Sequence, residues 1–181
     1  PVSSEVAADQ SIDKLRDFEY LLSNFYTVDS STMIGAEQLN VDDLLGRNMK
    51  IGREGNEPKI LIFHTHSQET FVDSVPGDIS TGIVVIGQYL TELLNAKGIP
   101  TLHDFGVYDI INGKLDRSEA YENAEASIRP ILEANPSIEV AIDLHRDGVA
   151  ETTHLVTQIN GKPTARIMYF NGLSRSRTNG D

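Results

Sequence analysis

Lys59-Ile60-Leu61-Ile62-Phe63-His64-Thr65-His66-Ser67-Gln68-Glu69 is the stretch on which the fold turns. Its first half is a short, β-rich apolar run, which reads as a buried strand. Its second half places two imidazoles and a carboxylate at that strand's end. The same grammar recurs downstream. Ile138-Glu139-Val140-Ala141-Ile142 is a second apolar run, and Asp143-Leu144-His145-Arg146-Asp147 follows it directly.

Between the two blocks lie further elements. A helix is expected over residues 80–97, with Asp78 or Ser80 able to cap it and Gly98 placed as its left-handed stop. A short strand over 99–103 ends in His103-Asp104. Residues 104–117 read as a loop containing Asn112-Gly113. A second helix over 117–134 stops at Asn135-Pro136. Strand, helix, strand, helix, strand is the pattern of parallel βαβ units, so the fold class is α/β, a mostly parallel sheet flanked by helices. Beyond it, Asn160-Gly161 separates two alternating runs, a strong hairpin signal. A C-terminal antiparallel hairpin is expected on the edge of the parallel sheet.

The chain has two expected parts. Residues 1–57 form a lead segment, with helical spacing of apolar residues over 12–26 and a short helix at 40–45 capped by Asn40. Residues 58–181 form the α/β catalytic domain. The chain's 181 residues are 39% hydrophobic, enough for a sizeable core. No apolar run approaches the ~18–20 residues of a membrane span, and no leader pattern opens the chain.

A formal net charge of -12 argues against nucleic acid and against anionic lipid surfaces. The absence of cysteine excludes disulfide frameworks, thiolate metal sites and cysteine nucleophiles. Any metal must therefore be held by His, Asp and Glu, a donor set that suits Zn2+. Serine catalysis is disfavoured, because no nucleophile-elbow motif exists and Ser67 has no evident oxyanion turn beside it. Phosphate-cradling Gly-rich loops are absent.

Strand C-termini are where catalytic groups collect in open α/β sheets. Two imidazoles and a carboxylate from two such ends can make a three-ligand zinc site with one open position. His64, His66 and Glu69 are candidates from the first block and His145 from the second. Asp143 or Asp147 could orient an imidazole through its other nitrogen. Arg146 could bind a substrate carboxylate or a developing oxyanion. A plainer reading pairs Arg146 with Asp147 structurally. His103 shares the sheet edge and reads as a structural histidine or a substrate group.

The blocks ILIFHTHSQETF and AIDLHRD, joined through KGIPTLHD, resemble the stage II sporulation protein P family of cell-wall hydrolases. LRDFEYLLSNFYTVDSST is similar to that family's lead-in, and the resemblance runs from about residue 15 to 173. It implies a fold like that of zinc N-acetylmuramoyl-L-alanine amidases. It implies cleavage of the muramic acid–L-alanine amide in peptidoglycan, and endopeptidase cleavage of cross-links. It also implies a place on the extracytoplasmic face of the membrane or in the cell wall of an endospore-forming Gram-positive bacterium. There such proteins act in engulfment with stage II sporulation proteins D and M. Carried over, His66 and His145 look like zinc ligands, with His64 exchangeable for His66, and Glu69 like the carboxylate, as ligand or as base. A catalytic glutamate of the family would follow beyond residue 181, so the domain reads as cut at its C-terminus, and the family's N-terminal membrane anchor is not in this chain. The competing function is a wall- or partner-binding module in which a metal only stabilises the fold.

Overall fold

The computed structural model describes residues 8–30, 32–150 and 152–170. Two compact units divide it. Lys50–Thr153 is one, and the segments on either side of it make the other.

In the flanking unit, the expected helix over 12–26 is two helices, α1 (Ile12–Leu15) and α2 (Phe18–Phe25). The break has a local cause. Asp17 adopts an extended backbone and its carboxylate accepts the Tyr20 N–H at 3.1 Å, so it starts a new helix rather than continuing the old one. Arg16, at the break, pairs with Asp42 at 2.9 Å. Asp42 sits in α3 (Val41–Gly46), whose cap is Asn40, as its sequence indicates: the side chain accepts the Asp43 N–H at 3.1 Å.

The central unit is built on β1 (Ile60–Phe63), followed by α4 (Ile83–Ala96), β2 (Thr101–His103), β3 (Ile110–Ile111), β4 (Lys114–Leu115), α5 (Ala120–Ala134) and β5 (Val140–Asp143). The parallel sheet runs β2-β1-β5. β1 is the central strand, and Ile60, Leu61 and Ile62 are all buried, which is why its sequence is continuously apolar rather than alternating. The register sets Ile62 beside both His103 and Ile142, and Phe63 beside Asp143. The chemistry-bearing residues that follow each strand therefore leave the sheet at one edge.

α4 begins three residues later than its sequence suggests. Asp78 does cap, but it caps a single tight turn over Ile79–Thr81. The helix proper waits for Gly82, because Ile83 N–H donates to the Glu69 carbonyl at 2.9 Å and a Cβ on Gly82 would lie 2.5 Å from that oxygen. A tertiary contact thus sets the helix start. The C-terminal end follows its sequence, with Gly98 at φ +73°. α5 likewise starts at Ala120, since Asp116 caps the preceding turn through Ser118.

Asn112-Gly113 is more than a loop. With φ of 52° and 75° it turns the β3–β4 hairpin. Asn160-Gly161 has the same angles and turns β6 (Val156–Ile159) into β7 (Lys162–Ala165), the expected C-terminal hairpin. This hairpin differs from expectation in its place. It is a two-stranded sheet of its own rather than an edge of the parallel sheet. All four β6 residues are exposed, and a strand added to a packed sheet would bury one face.

One glycine holds α4 against the sheet. A Cβ on Gly87 would meet His64 Nε2 at 2.4 Å and His103 Nε2 at 2.8 Å. Gly87→Ala should therefore destabilise by about 2 kcal/mol despite the roughly 1 kcal/mol of helix propensity it gains. Urea unfolding of the two chains measures the difference, and a more stable variant would contradict this packing.

Candidate active site

His64 is the residue after β1 and is 1% exposed. Its Nδ1 donates to the Leu144 carbonyl at 2.8 Å, and its Nε2 faces His103 Nε2 at 2.9 Å. The carbonyl requires a proton on Nδ1, so Nε2 accepts and His103 donates. His103 Nδ1 in turn meets the Gln88 amide at 3.3 Å. Both nitrogens of His64 are thereby engaged with protein groups. Burial, then the neighbouring imidazole, push His103 down to about 4.

The next residue braces the site. Thr65 donates from its N–H to Asp143 Oδ1 at 2.9 Å and from its hydroxyl to Oδ2 at 2.6 Å. Asp143 Oδ2 also accepts His145 Nε2 at 2.9 Å. Burial opposes the ionised carboxyl, but the bonds from His145 and Thr65 outweigh it and hold Asp143 below the usual carboxylate range.

His145 faces a second carboxylate on its other side. Its Nδ1 lies 3.7 Å from Glu69 Oε2. Asp143 first and Glu69 second raise the imidazole to about 9, against the effect of burial. Glu69 is itself buried, which disfavours its charge, yet His145 and the Arg146 N–H at 2.7 Å keep it below the ordinary value. His66 completes the group. Its ring centroid lies 5.2 Å from that of His145. Burial, then the positive charge of His145, lower it, so it is neutral at neutral pH. Its Nδ1 is buried and has no hydrogen-bond partner.

The structure thus brings together His66, Glu69, Asp143, His145 and the backbone of Arg146. It sets His64 and His103 in a separate imidazole pair behind them. Arg146 is exposed, and its guanidinium donates to the Asp147 carbonyl at 3.2 Å rather than to its carboxylate. Asp147 makes no side-chain hydrogen bond or ion pair among the described residues. The Ser67 hydroxyl donates to Asp109 at 3.0 Å, away from any histidine. Asp109 is fully buried and also receives the Gln68 N–H at 3.4 Å. Nothing in its sequence surroundings marks it, because it lies in a stretch that reads as loop. Tyr121, with its ring centroid 5.4 Å from that of His66, is a second neighbour that sequence spacing does not reveal.

Two imidazoles and a buried carboxylate with one orphaned nitrogen are the donor types zinc takes. Asp143 on His145 Nε2 is the kind of outer contact that would orient that imidazole towards a metal. Among the described residues, however, no three such side chains converge closely enough to form a metal centre as they stand.

The fold and this cluster define an α/β protein with its histidines and carboxylates at the C-terminal edge of a parallel sheet. Residues 6–179 match the family described as Stage II sporulation protein P (SpoIIP), and the chain belongs to that family. Over 128 residues it is 23% identical to Stage II sporulation protein P of Bacillus subtilis (strain 168). The match covers 65% of this chain and 32% of that relative, so the chain spans about a third of the relative's length. No solved structure matches the chain. No helix among the described residues is long and apolar enough to cross a membrane.

The His64–His103 pair makes stability pH-dependent. Below 6.5 the unfolded chain protonates His103, whereas the folded chain resists down to about 4. This stability is present above 6.5 and is lost as pH falls towards 4. Thermal melts of the metal-free chain should show that acid limb, and His103→Gln should make it shallower without removing it, since burial lowers His64 and His66 as well. An unchanged limb in the variant would show that His103 titrates normally.

Proposed function

We propose that this chain carries the zinc-binding core of a cell-wall amidase acting in sporulation. On this reading it cuts the muramic acid–L-alanine amide of peptidoglycan, with endopeptidase cleavage of cross-links as a second activity. The observation that supports it most is the orphaned Nδ1 of His66, buried beside His145 and Glu69. A buried polar atom without a partner is costly unless something is bound to it. The family match supports the sporulation role. An extracytoplasmic location at the membrane or wall, with stage II sporulation proteins D and M as partners, belongs to the same proposal.

His66, His145 and Glu69 would hold the metal. Zinc at such a site acidifies a water and polarises the scissile carbonyl. The chain's own residues prepare that chemistry. Thr65 locks Asp143, and Asp143 holds His145 through Nε2, so that Nδ1, on the Glu69 side, is the nitrogen that would give up its proton to a metal. The Arg146 N–H fixes Glu69 in its ionised form, as ligand or as proton acceptor. The Arg146 guanidinium stands exposed to meet the substrate or a developing oxyanion.

A second reading is a wall- or partner-binding module with a structural metal. It draws on one feature: protonated His145 between Asp143 and Glu69 already balances much of the cluster's charge.

Zinc content and muropeptide release separate the two. His66→Ala and His145→Ala should each abolish stoichiometric zinc and muropeptide release while leaving the helical circular-dichroism signal intact. Asp143→Ala should weaken zinc binding by about 10–100-fold. Hydrolysis that persists in chelator would sink the amidase mechanism. Wall binding that survives His66→Ala, with only a lower melting temperature and no hydrolysis in the parent, would favour the module.

A further inference from the structure

Arg117 and Tyr121 flank the cluster from a direction that the strand-end motifs do not supply. Tyr121 is in the first turn of α5, and Arg117 lies in the turn that leads into it. The Tyr121 ring stands edge-on to His66, at an interplanar angle of 78°. Over half of the side chain stays exposed, and its hydroxyl makes no hydrogen bond among the described residues. The Arg117 guanidinium is exposed too. It lies near enough to act electrostatically on both His66 and Glu69, yet forms no ion pair among the described residues.

Their placement is built. Buried Asp109 accepts from Ser67 and Gln68, two residues of the loop that carries His66 and Glu69. The Asp109 carbonyl also accepts the Asp116 N–H at 2.9 Å, closing the foot of the β3–β4 hairpin. Asp116 then caps the turn into α5 through the Ser118 N–H and hydroxyl. One buried residue, by its carboxylate on one side and its backbone carbonyl on the other, therefore ties the histidine loop to the segment that delivers Arg117 and Tyr121.

The surroundings make an exposed cation informative. The chain carries 27 acidic against 15 basic side chains, and Glu69, Asp109 and Asp143 all lie in this region. A negatively charged ligand approaching such a cluster is repelled unless a local cation receives it. Arg117 lies on the α5 side, and Arg146 follows the β5 side. A guanidinium pairs with a carboxylate through two parallel N–H groups, and a phenol can add a third donor.

We propose that Arg117 and Tyr121 form a carboxylate-binding subsite, which selects substrates with a free carboxylate on the peptide beside the scissile amide. This rests on the cell-wall hydrolase reading above and narrows its substrate to acidic stem peptides over amidated ones.

The test is calorimetric titration of soluble disaccharide-peptides in two forms, with peptide carboxylates free or amidated. Chelator is present throughout, so binding is read without turnover. The chain should bind the free-carboxylate form about tenfold more tightly than the amidated one. Arg117→Ala should bring that ratio close to one while leaving affinity for the amidated form unchanged. Arg117→Lys should retain part of the preference. Tyr121→Phe keeps the ring against His66 and should lose a few-fold of the preference. Absence of a preference in the parent chain, or an undiminished one in Arg117→Ala, overturns the proposal. So does an equal loss for both forms with a lowered melting temperature, which would make Arg117 a folding residue. Muropeptide release with zinc restored is scored separately, so a failed hydrolase reading and a failed subsite give different results.

Discussion

Asp143 occupies the last rung of the β1–β5 ladder, opposite Phe63, and both of its oxygens are in use. One receives the Thr65 N–H; the other receives the Thr65 hydroxyl and His145. This carboxylate therefore joins the exit of the central strand to the exit of its neighbour. It makes the orientation of His145 a consequence of strand register. Removing its charge would loosen both loops at once, leaving the His64–Leu144 and Glu69–Arg146 hydrogen bonds to join the two strand ends. Its ionisation is secured by these bonds even though it is largely removed from water, which is the usual condition for a buried charge to persist.

The histidines divide their labour by what surrounds each ring. His64 and His103 satisfy one another and the Leu144 carbonyl beneath Gly87, so they stabilise the sheet edge. His145 is clamped between two carboxylates. His66 is left with an unpaired buried nitrogen. Four imidazoles within one strand-end region thus occupy three electrostatic environments. The hydrolase proposal depends on those environments rather than on the number of histidines. Arg117 and Tyr121 extend the same region outwards, and the proposed carboxylate subsite rests on them.

The periphery obeys local chemistry more closely than the centre does. Both Asn-Gly pairs turn hairpins through the same positive backbone angles, and Asn40 and Gly98 cap helices where their sequence places them. Departures have two causes: Glu69's carbonyl, a tertiary partner, delays α4, whereas Asp17's side chain splits the lead helix in two by a local cap on Tyr20. The β6–β7 strands pair with one another alone, because no face of β6 is buried.

Apolar runs, glycine stops and Asn-Gly turns act within a few residues, so the α/β order, the parallel strands and the C-terminal hairpin were legible in the sequence. So was the clustering of His66, Glu69, Asp143 and His145, because strand ends in a parallel sheet must share an edge. Which histidine keeps a free nitrogen was not legible, since His64 and His66 differ only in what packs against them. Asp109, Arg117 and Tyr121 were invisible for the same reason. Their partners lie tens of residues away, and only the tertiary structure, through the β1–β5 register and the seating of α5, decides which side chains meet.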